Sequence, residues 1–421
     1  MGEGVRAAIL FCQVIRPETP LPVPASPEAR LILCCAALAH DDEREALARE
    51  LVAEVDFDLL GRLAKRHAVT PTVYRFLERA CAEQMPQAGA AALRTRLQIV
   101  VLFNRHLAAE LVRIVRLFAE IGIETLSFKG PILAATAYES IEGRQYGDLD
   151  LLIRRRDLPR AAELLRAQGY SSNVQRCDRL GDPYFQEFEE FFTAPAGIGG
   201  VDLHWQMTPK SFPFVPDEEA TWARAQEVEL FDAPIRTLDP IDNLLYLCVH
   251  GAKHGWHSLN TICDVAALLR ALPGLDLEAA LDRATRCGSQ RMLLAGLYLA
   301  HAMLGAELPG ELLARAVYDD RIVSLCAKVA RDLFRGDPDV DPLVDPWLVP
   351  LRSIELPAAR ARYVVGRLLA PTMGDYQALP LPDALFPLYW LTRPFRMAAQ
   401  YGPRLVRGAF GIHTGEEAGS R

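Results

Sequence analysis

The chain has 421 residues, of which 50% are hydrophobic and 24% are charged, and its formal net charge is −8 at pH 7. This composition excludes a wholly disordered, collagenous or coiled-coil protein, and the length predicts two or three domains or one large core with helical additions. The negative charge argues against a protein that binds duplex nucleic acid, because the neutralisation of phosphates needs a basic surface.

The first 27 residues are predicted to form an irregular arm, because five prolines lie between Pro17 and Pro27. The apolar stretch Ala7–Ile15 is too short to span a membrane and has no clear cleavage site after it, so we interpret it as part of this arm. The nine cysteines of the chain are scattered and form no CxxC pair. This usage favours buried free thiols in a reducing cytoplasm.

Residues 28–121 are predicted to form an N-terminal helical region, with a long amphipathic helix in the run Leu97–Phe118. Strand and helix patterns then alternate in residues 122–238, where helices are expected to begin at Pro131 and after a capping Asp157. The predicted strands are Ile123–Phe128, Leu149–Ile153, Glu187–Ala194 and Ile198–Trp205, of which the last two form a hairpin. This alternation predicts an α+β protein with a small mixed β-sheet core and helices on one face of the sheet.

Helical patterns return at Asp239, which is predicted to cap a helix, and continue through a C-terminal helical domain of residues 239–410. Nine arginines and five acidic residues lie between Leu351 and Arg421. We interpret 385–410 as a helical cover on the body, with weak docking to a membrane surface or another protein as the alternative. The tail 411–421 is small and polar and is predicted to be disordered.

Three acidic residues carry the expected chemistry. Asp148 and Asp150 lie two residues apart at the start of a strand, so their carboxylates share a face, and Asp202 lies on a later apolar strand. Carboxylates bind hard divalent cations, which neutralise phosphates and activate nucleophiles. We therefore predict that the three acids are catalytic and bind metal, the alternative being strand-end acids that cap helices. His204, on the same strand face as Asp202, is either a buried, hydrogen-bonded histidine or a further site residue.

A second group of residues is predicted to contact phosphate. Gly130 marks the start of a helix, where free backbone N–H groups bind anions and glycine allows close approach. Lys129 adds a positive charge beside it, and Arg144 on the following loop is predicted to clamp a polyphosphate. The alternative for both cations is a solvated charge or a surface ion pair.

The predicted helix after Asp239 carries two further candidates. His250 and Lys253 lie opposite its apolar stripe and are expected to contact phosphate or the acceptor. His254 follows His250 at the spacing of zinc ligands, but no third ligand can be identified. Asp264, in the next helix, is expected to be a helix-surface or capping acid.

A recognisable pattern joins three segments of the predicted core, Phe128–Gly130, Arg144–Ile153 and Val201–Trp205. It resembles the signature of the bacterial uncharacterised nucleotidyltransferase family, which belongs to the DNA polymerase β-like nucleotidyltransferase superfamily. The similarity extends over residues 30–300, and the block before Asp150 with its third acid is the most specific part. Where the superfamily usually has Gly-Gly or Gly-Ser, Pro131 follows Gly130 and cannot donate a backbone hydrogen bond.

The resemblance implies transfer of a nucleoside monophosphate from an NTP to a hydroxyl or phosphate of an unknown small-molecule or peptide acceptor. It implies Mg²⁺ or Mn²⁺ as the cofactor, bound by Asp148, Asp150 and Asp202, with Gly130 and Lys129 at the phosphate end. Asp202 is also a candidate general base. Family members resemble accessory enzymes of cell-surface or natural-product pathways, and we expect the active site in the cleft between the core and the helices.

Two other functions are compatible with the same residues. A nucleotide-sugar glycosyltransferase would use Asp148 and Asp150 as its metal-binding pair, although that pair usually ends a long apolar strand and Asp148 follows a glycine-containing loop. A non-catalytic nucleotide-binding module is the second alternative, and the presence of all three acids argues against it.

Overall fold

The computed structural model describes residues 21–37, 42–172, 187–195, 197–339 and 348–410, with side chains from 349 to 399 in the last of these segments. The predicted tail 411–421 and the first 20 residues of the predicted arm lie outside these residues. The helices before the first strand are α1 (Pro27–Ala36), α2 (Asp42–Leu51), α3 (Phe57–Arg66), α4 (Thr70–Ala80) and α5 (Gln87–Glu120). The long amphipathic helix predicted from the sequence is part of α5.

A five-stranded mixed sheet forms the centre of the core, with the strand order β1-β2-β5-β4-β3. Its strands are β1 (Thr125–Ser127), β2 (Leu149–Ile153), β3 (Ser171–Ser172), β4 (Glu189–Thr193) and β5 (Gly200–His204). Strands β2 and β5 are parallel, and the other neighbouring pairs are antiparallel. Helices α6 (Gly130–Ala137) and α7 (Leu158–Ala167) connect the first strands. Every residue of β2 is buried, because both faces of this central strand are covered. The prediction of helices on one face of the sheet was therefore wrong: Leu151 packs with α5, α6 and α7, while Leu152 packs on the other face with Tyr246 of a later helix.

The sequence-based expectations of the fold are confirmed in outline. The structure is an α+β fold with a small mixed sheet and flanking helices, β2 is the strand predicted at Leu149–Ile153, and β4 and β5 form the predicted hairpin. The prediction that Asp157 caps the helix α7 was wrong. The backbone of Asp157 is already helical, and its carboxylate makes no capping hydrogen bond but lies 3.4 Å from Arg160. The sequence did not predict α8 (Glu218–Arg224) or a separate two-stranded sheet of β6 (Gln226–Leu230) and β7 (Ala233–Thr237).

The chain continues as a series of helices after the second sheet. Asp239 caps the first of them by accepting a hydrogen bond from the backbone N–H of Asp242, as predicted. The helices are α9 (Pro240–Lys253), α10 (Leu259–Ala271), α11 (Leu277–Cys287), α12 (Gln290–Leu304), α13 (Gly310–Val317), α14 (Asp320–Asp332), α15 (Leu348–Ser353), α16 (Pro357–Leu369), α17 (Met373–Ala378) and α18 (Tyr389–Phe410). Among the helices that the structure describes, none is long and apolar enough to cross a membrane.

The helices before and after the sheet share one apolar core. Leu31 in α1 and Leu77 in α4 belong to the same buried cluster as Leu244 in α9 and Leu325 in α14. The predicted division of the chain into a helical region at 28–121 and a helical domain at 239–410 stays a prediction. A second cluster packs the sheet against α5, α6 and α7.

Two arginines of the basic C-terminal region are bonded within the chain. Arg393 Nη1 lies 2.7 Å from Asp375 Oδ2, and Arg396 Nε lies 2.5 Å from the other oxygen of the same carboxylate. Phe395 nearby is 78% exposed and Leu391 66% exposed. Docking through 385–410 stays a prediction, and these exposed apolar side chains are a better basis for it than the charges of the two bonded arginines.

Glu187 connects the start of β4 to the C-terminal helices, and its burial is expected to make stability depend on pH. It accepts a hydrogen bond from the backbone N–H of Met373, and burial raises the pKa of Glu187 to about 7. Between its unfolded pKa of about 4.3 and pH 7, the unfolded chain loses this proton while the folded chain keeps it. The free energy of unfolding therefore falls over this range because of Glu187.

We expect Glu187→Gln to remove this contribution. The melting temperature of the variant relative to wild type should rise from pH 4 to pH 7 and then level off. The exposed Glu229 on β6 supplies the control, since Glu229→Gln should show no such trend. A constant difference for Glu187→Gln across the whole range would contradict the expectation.

Candidate active site

The site is built on the parallel pair β2 and β5. Asp150 and Asp202 are direct neighbours in the register of this pair, so their side chains point to the same face. His204 follows Asp202 by two residues and shares that face. Among the residues that the structure describes, one group of potential metal ligands has ligand atoms that all lie within 4.8 Å of one another, and it consists of Asp150, Asp202 and His204. The structure therefore brings together two of the three predicted acids and adds a histidine.

His204 is almost completely buried and contacts three carboxylates. Its Nε2 atom lies 3.3 Å from Asp150 Oδ1 and 3.7 Å from Asp202 Oδ2, while Nδ1 lies 3.2 Å from Glu189 Oε2 on β4. Burial opposes its charge, but the hydrogen bond to Asp150 and the charges of Asp202 and Glu189 outweigh it and raise the pKa of His204. The sequence signal for His204 was its spacing of two residues from Asp202.

The ammonium group of Lys129 forms an ion pair with the carboxylate of Asp150. The distance from its Nζ to Asp150 Oδ1 is 2.6 Å, and Nζ is 3.4 Å from Nε2 of His250. Burial opposes the charges of both partners, but their attraction outweighs it, so the pKa of Asp150 is lowered and that of Lys129 is raised. The Lys129 ammonium therefore balances the charge of the buried carboxylate, and its predicted contact with phosphate stays a prediction.

The other two acids have raised pKa values. Burial and the charge of Asp150 raise the pKa of Asp148, which lies at the cavity described below and outside the close group. Burial raises the pKa of Asp202 to about 7, and repulsion from the charges of Glu189 and Asp150 acts in the same direction. The attraction of His204 opposes this rise but is smaller. Repulsion between closely spaced carboxylates raises their pKa values, and a bound cation would relieve that repulsion.

Arg144 forms a buried ion pair with Asp264. Its Nε atom lies 2.7 Å from Oδ1 of Asp264, and its Nη2 atom lies 2.7 Å from Oδ2. The Tyr138 hydroxyl also donates a hydrogen bond to this carboxylate, at 2.8 Å. The expectation that Asp264 is a helix-surface or capping acid was wrong, because the loop after α6 carries Arg144 onto α10 and Asp264 is only 2% exposed. Two donors of Arg144 are thus engaged in this pair, and its predicted polyphosphate contact stays a prediction.

The predicted phosphate turn begins α6. Gly130 has φ +48°, in the left-handed region that favours glycine, and a Cβ atom here would lie 3.3 Å from the backbone oxygen of Asp148. Pro131 is in the first turn of the helix, where its missing N–H costs no intrahelical hydrogen bond. The close approach of Gly130 to Asp148 joins the turn directly to the acidic strand.

The two candidates on α9 face different neighbours. His250 lies against Lys129, and burial together with that ammonium lowers the pKa of His250. Lys253 Nζ lies 4.0 Å from Glu189 Oε1 and 4.4 Å from the ring centre of Phe188. His250 is thus on the Lys129 side of the acidic group, and Lys253 is on the Glu189 side.

A cavity of about 740 Å³ opens beside the acids, between the sheet and the helices that flank it. This volume is in the usual range of small-molecule sites. Asp148, Asp150 and Lys129 line it from the sheet side, together with Phe103 of α5 and His254, which directly follows α9. The cleft expected from the sequence between the core and the helices is therefore present.

The family model described as uncharacterised nucleotidyltransferase matches residues 53–305. The matched stretch includes the whole five-stranded sheet and all of the side chains of the candidate site. No curated protein matches the chain at a significant level.

Proposed function

Because the chain belongs to the uncharacterised nucleotidyltransferase family, we propose that it moves a nucleoside monophosphate from an NTP to an acceptor with the help of a divalent cation. The acceptor offers a hydroxyl or a phosphate, on a small molecule or a peptide. The observation that carries this proposal is the pairing of Asp150 with Asp202 on parallel neighbouring strands beside a ligand-sized cavity. The family match and the acidic group point to the same chemistry.

The donor set fits Mg²⁺ or Mn²⁺. Asp150 and Asp202 offer carboxylate oxygens within reach of one ion, and Asp148 offers a further oxygen at the cavity. When bound, such an ion would neutralise the phosphates and stabilise the pyrophosphate that leaves. The raised pKa of Asp148, which burial and the charge of Asp150 cause, supports a site whose acids are stabilised by an added cation.

The other side chains are proposed to position the two substrates. Gly130 and Lys129 lie at the turn next to Asp148 and would contact the phosphates, with His250 behind Lys129. Lys253 is near Glu189, on the side where Asp202 is partly exposed, and it would contact the acceptor. Asp202, the partly exposed acid beside Asp150, would accept the proton of an acceptor hydroxyl. Arg144 would act by holding the loop that carries Asp148.

We expect Mg²⁺ and an NTP together to raise the melting temperature by several degrees, since ligands that bind only the folded state stabilise it. Asp150→Asn should lose most of this shift because one carboxylate no longer balances the cation. Glu229→Gln, a control on the separate sheet, should keep it. A wild-type protein that shows no shift with Mg²⁺ or Mn²⁺ and any of the four common NTPs would contradict the proposed function.

The identity of the donor substrate distinguishes the proposed nucleotidyltransferase from a glycosyltransferase. Incubation with α-labelled NTPs and with labelled UDP-sugars shows which part of the donor is transferred, and we expect transfer of the nucleoside monophosphate with release of pyrophosphate. A non-catalytic module would bind the NTP and release no pyrophosphate.

The seven cysteines in the described segments form no disulfide, which supports a proposed cytoplasmic location. The proposed setting of the reaction is a cell-surface or natural-product pathway.

A further inference from the structure

We propose that His204 is a direct ligand of the cation, positioned by Glu189, so that the site is a mixed carboxylate–imidazole site that binds Mn²⁺ in preference to Mg²⁺. This inference rests on the proposed function only in assuming that Asp150 and Asp202 bind a divalent cation. It concerns which side chain completes the site, and therefore which ion the site selects.

The geometry of the sheet directs the imidazole toward the acids. Asp202 and His204 project from one face of β5, and the parallel neighbour β2 places Asp150 beside Asp202. The Nε2 atom consequently lies between the two carboxylates, at 3.3 Å from Asp150 Oδ1 and 3.7 Å from Asp202 Oδ2. A single ion at this position would contact one nitrogen and two carboxylate oxygens, and it would displace the Lys129 ammonium that lies 2.6 Å from Asp150 Oδ1.

Glu189 and two aromatic rings hold the imidazole in this orientation. Glu189 is the partner of His204 in the antiparallel register of β4 and β5, and its Oε2 lies 3.2 Å from Nδ1, at ion-pair distance although not aligned as a hydrogen bond. The ring packs edge-on against Phe128, with centroids 5.3 Å apart, and at a tilt against Phe188, with centroids 6.1 Å apart. Metal-binding histidines characteristically direct their other ring nitrogen to a carboxylate, which fixes the tautomer and orients the ring.

The donor set explains the expected preference. Mg²⁺ requires oxygen ligands in near-ideal octahedral geometry, whereas imidazole nitrogen suits transition-metal ions. Mn²⁺ is the transition-metal ion that also shares the carboxylate and water ligands of Mg²⁺. A site with two carboxylates and one buried imidazole therefore selects Mn²⁺ more strongly than three carboxylates would. His204 is 1% exposed, so it cannot turn away toward solvent to leave an all-oxygen site.

Electron paramagnetic resonance of Mn²⁺ bound to the full-length protein tests the inference without any assay of activity. We expect the pulsed spectrum of the wild type to show the ¹⁴N modulation of a coordinated imidazole, and Mn²⁺ to remain bound in a tenfold excess of Mg²⁺. His204→Gln should lose the modulation and bind Mn²⁺ at least tenfold more weakly. His106→Gln, a histidine on the exposed face of α5, is the control and should change neither.

Glu189→Gln separates the positioning role from ligation. It should keep the ¹⁴N modulation while Mn²⁺ affinity falls about 10–100-fold, the usual effect of losing a carboxylate behind a histidine ligand. Mn²⁺ bound to the wild type without ¹⁴N modulation, or a modulation that persists in His204→Gln, would overturn the role of His204 and leave the proposed function standing. Failure of the wild type to bind Mn²⁺ even with an NTP would overturn both.

Discussion

Turnover is expected to fall by on the order of 10² or more when Asp202 is replaced by asparagine. Asp202 is the partly exposed acid of the close group and lies next to Asp150 in the sheet register. Asparagine keeps the shape of the side chain but has neither the charge to bind a cation nor the basicity to accept a proton. The fold and most of the NTP affinity should remain, because Asp148 and Asp150 still line the cavity.

Two measurements separate these effects. Pyrophosphate release, with the true acceptor or with water as a poor substitute, reports turnover, and titration of the NTP reports its Kd. Asp148→Asn is the informative comparison, since it should weaken NTP binding as well as turnover, while Glu229→Gln should change neither. If Asp202→Asn turned over at a rate near that of wild type, the role of Asp202 in the reaction would be wrong.

Breaking the pair of Arg144 and Asp264 should have the largest effect on stability. Both side chains are less than 10% exposed and are joined by two hydrogen bonds of 2.7 Å. Removing one member of such a pair leaves an uncompensated buried charge and typically costs about 3–5 kcal/mol. We expect Arg144→Met and Asp264→Leu each to lower the free energy of unfolding by this order, measured by urea denaturation.

The double variant shows whether the cost comes from the unpaired charge. Arg144→Met with Asp264→Leu removes both charges, so its stability should lie above that of either single variant. Activity should not recover in the double variant, because the loop that carries Asp148 has lost the bond that holds it to α10. Additive losses of stability would mean that the pair does not interact as a unit.

The local features of the site could be predicted from the sequence, whereas the partners of its charged groups could not. The apolar run Leu149–Ile153 and the alternation of side chains were enough to place Asp150 on a buried strand face. Arg144 and Asp264 are 120 residues apart, and no periodicity links a loop to the helix it contacts. The same limit applies to Lys129, whose charge predicted an anionic neighbour without saying which one.

His204 shows a different limit. Its position two residues from Asp202 was visible, but a buried histidine is common in protein cores, and only the antiparallel partner strand places Glu189 behind it. The strands β6 and β7 were missed because β6 is mostly exposed, whereas β7 buries alternate residues but has a single large aliphatic side chain among them, Ile235. Such segments have little of the hydrophobic contrast on which strand prediction depends.

The apolar core that joins Leu31 to Leu325 also affects how the protein is made. During synthesis the first helices leave the ribosome long before α14 exists, so their apolar faces have no complete partner until most of the chain has been translated. Contacts between such distant segments form late, because a long loop must be closed first. We expect the nascent N-terminal helices to need a chaperone, and a fragment that ends after the sheet to aggregate.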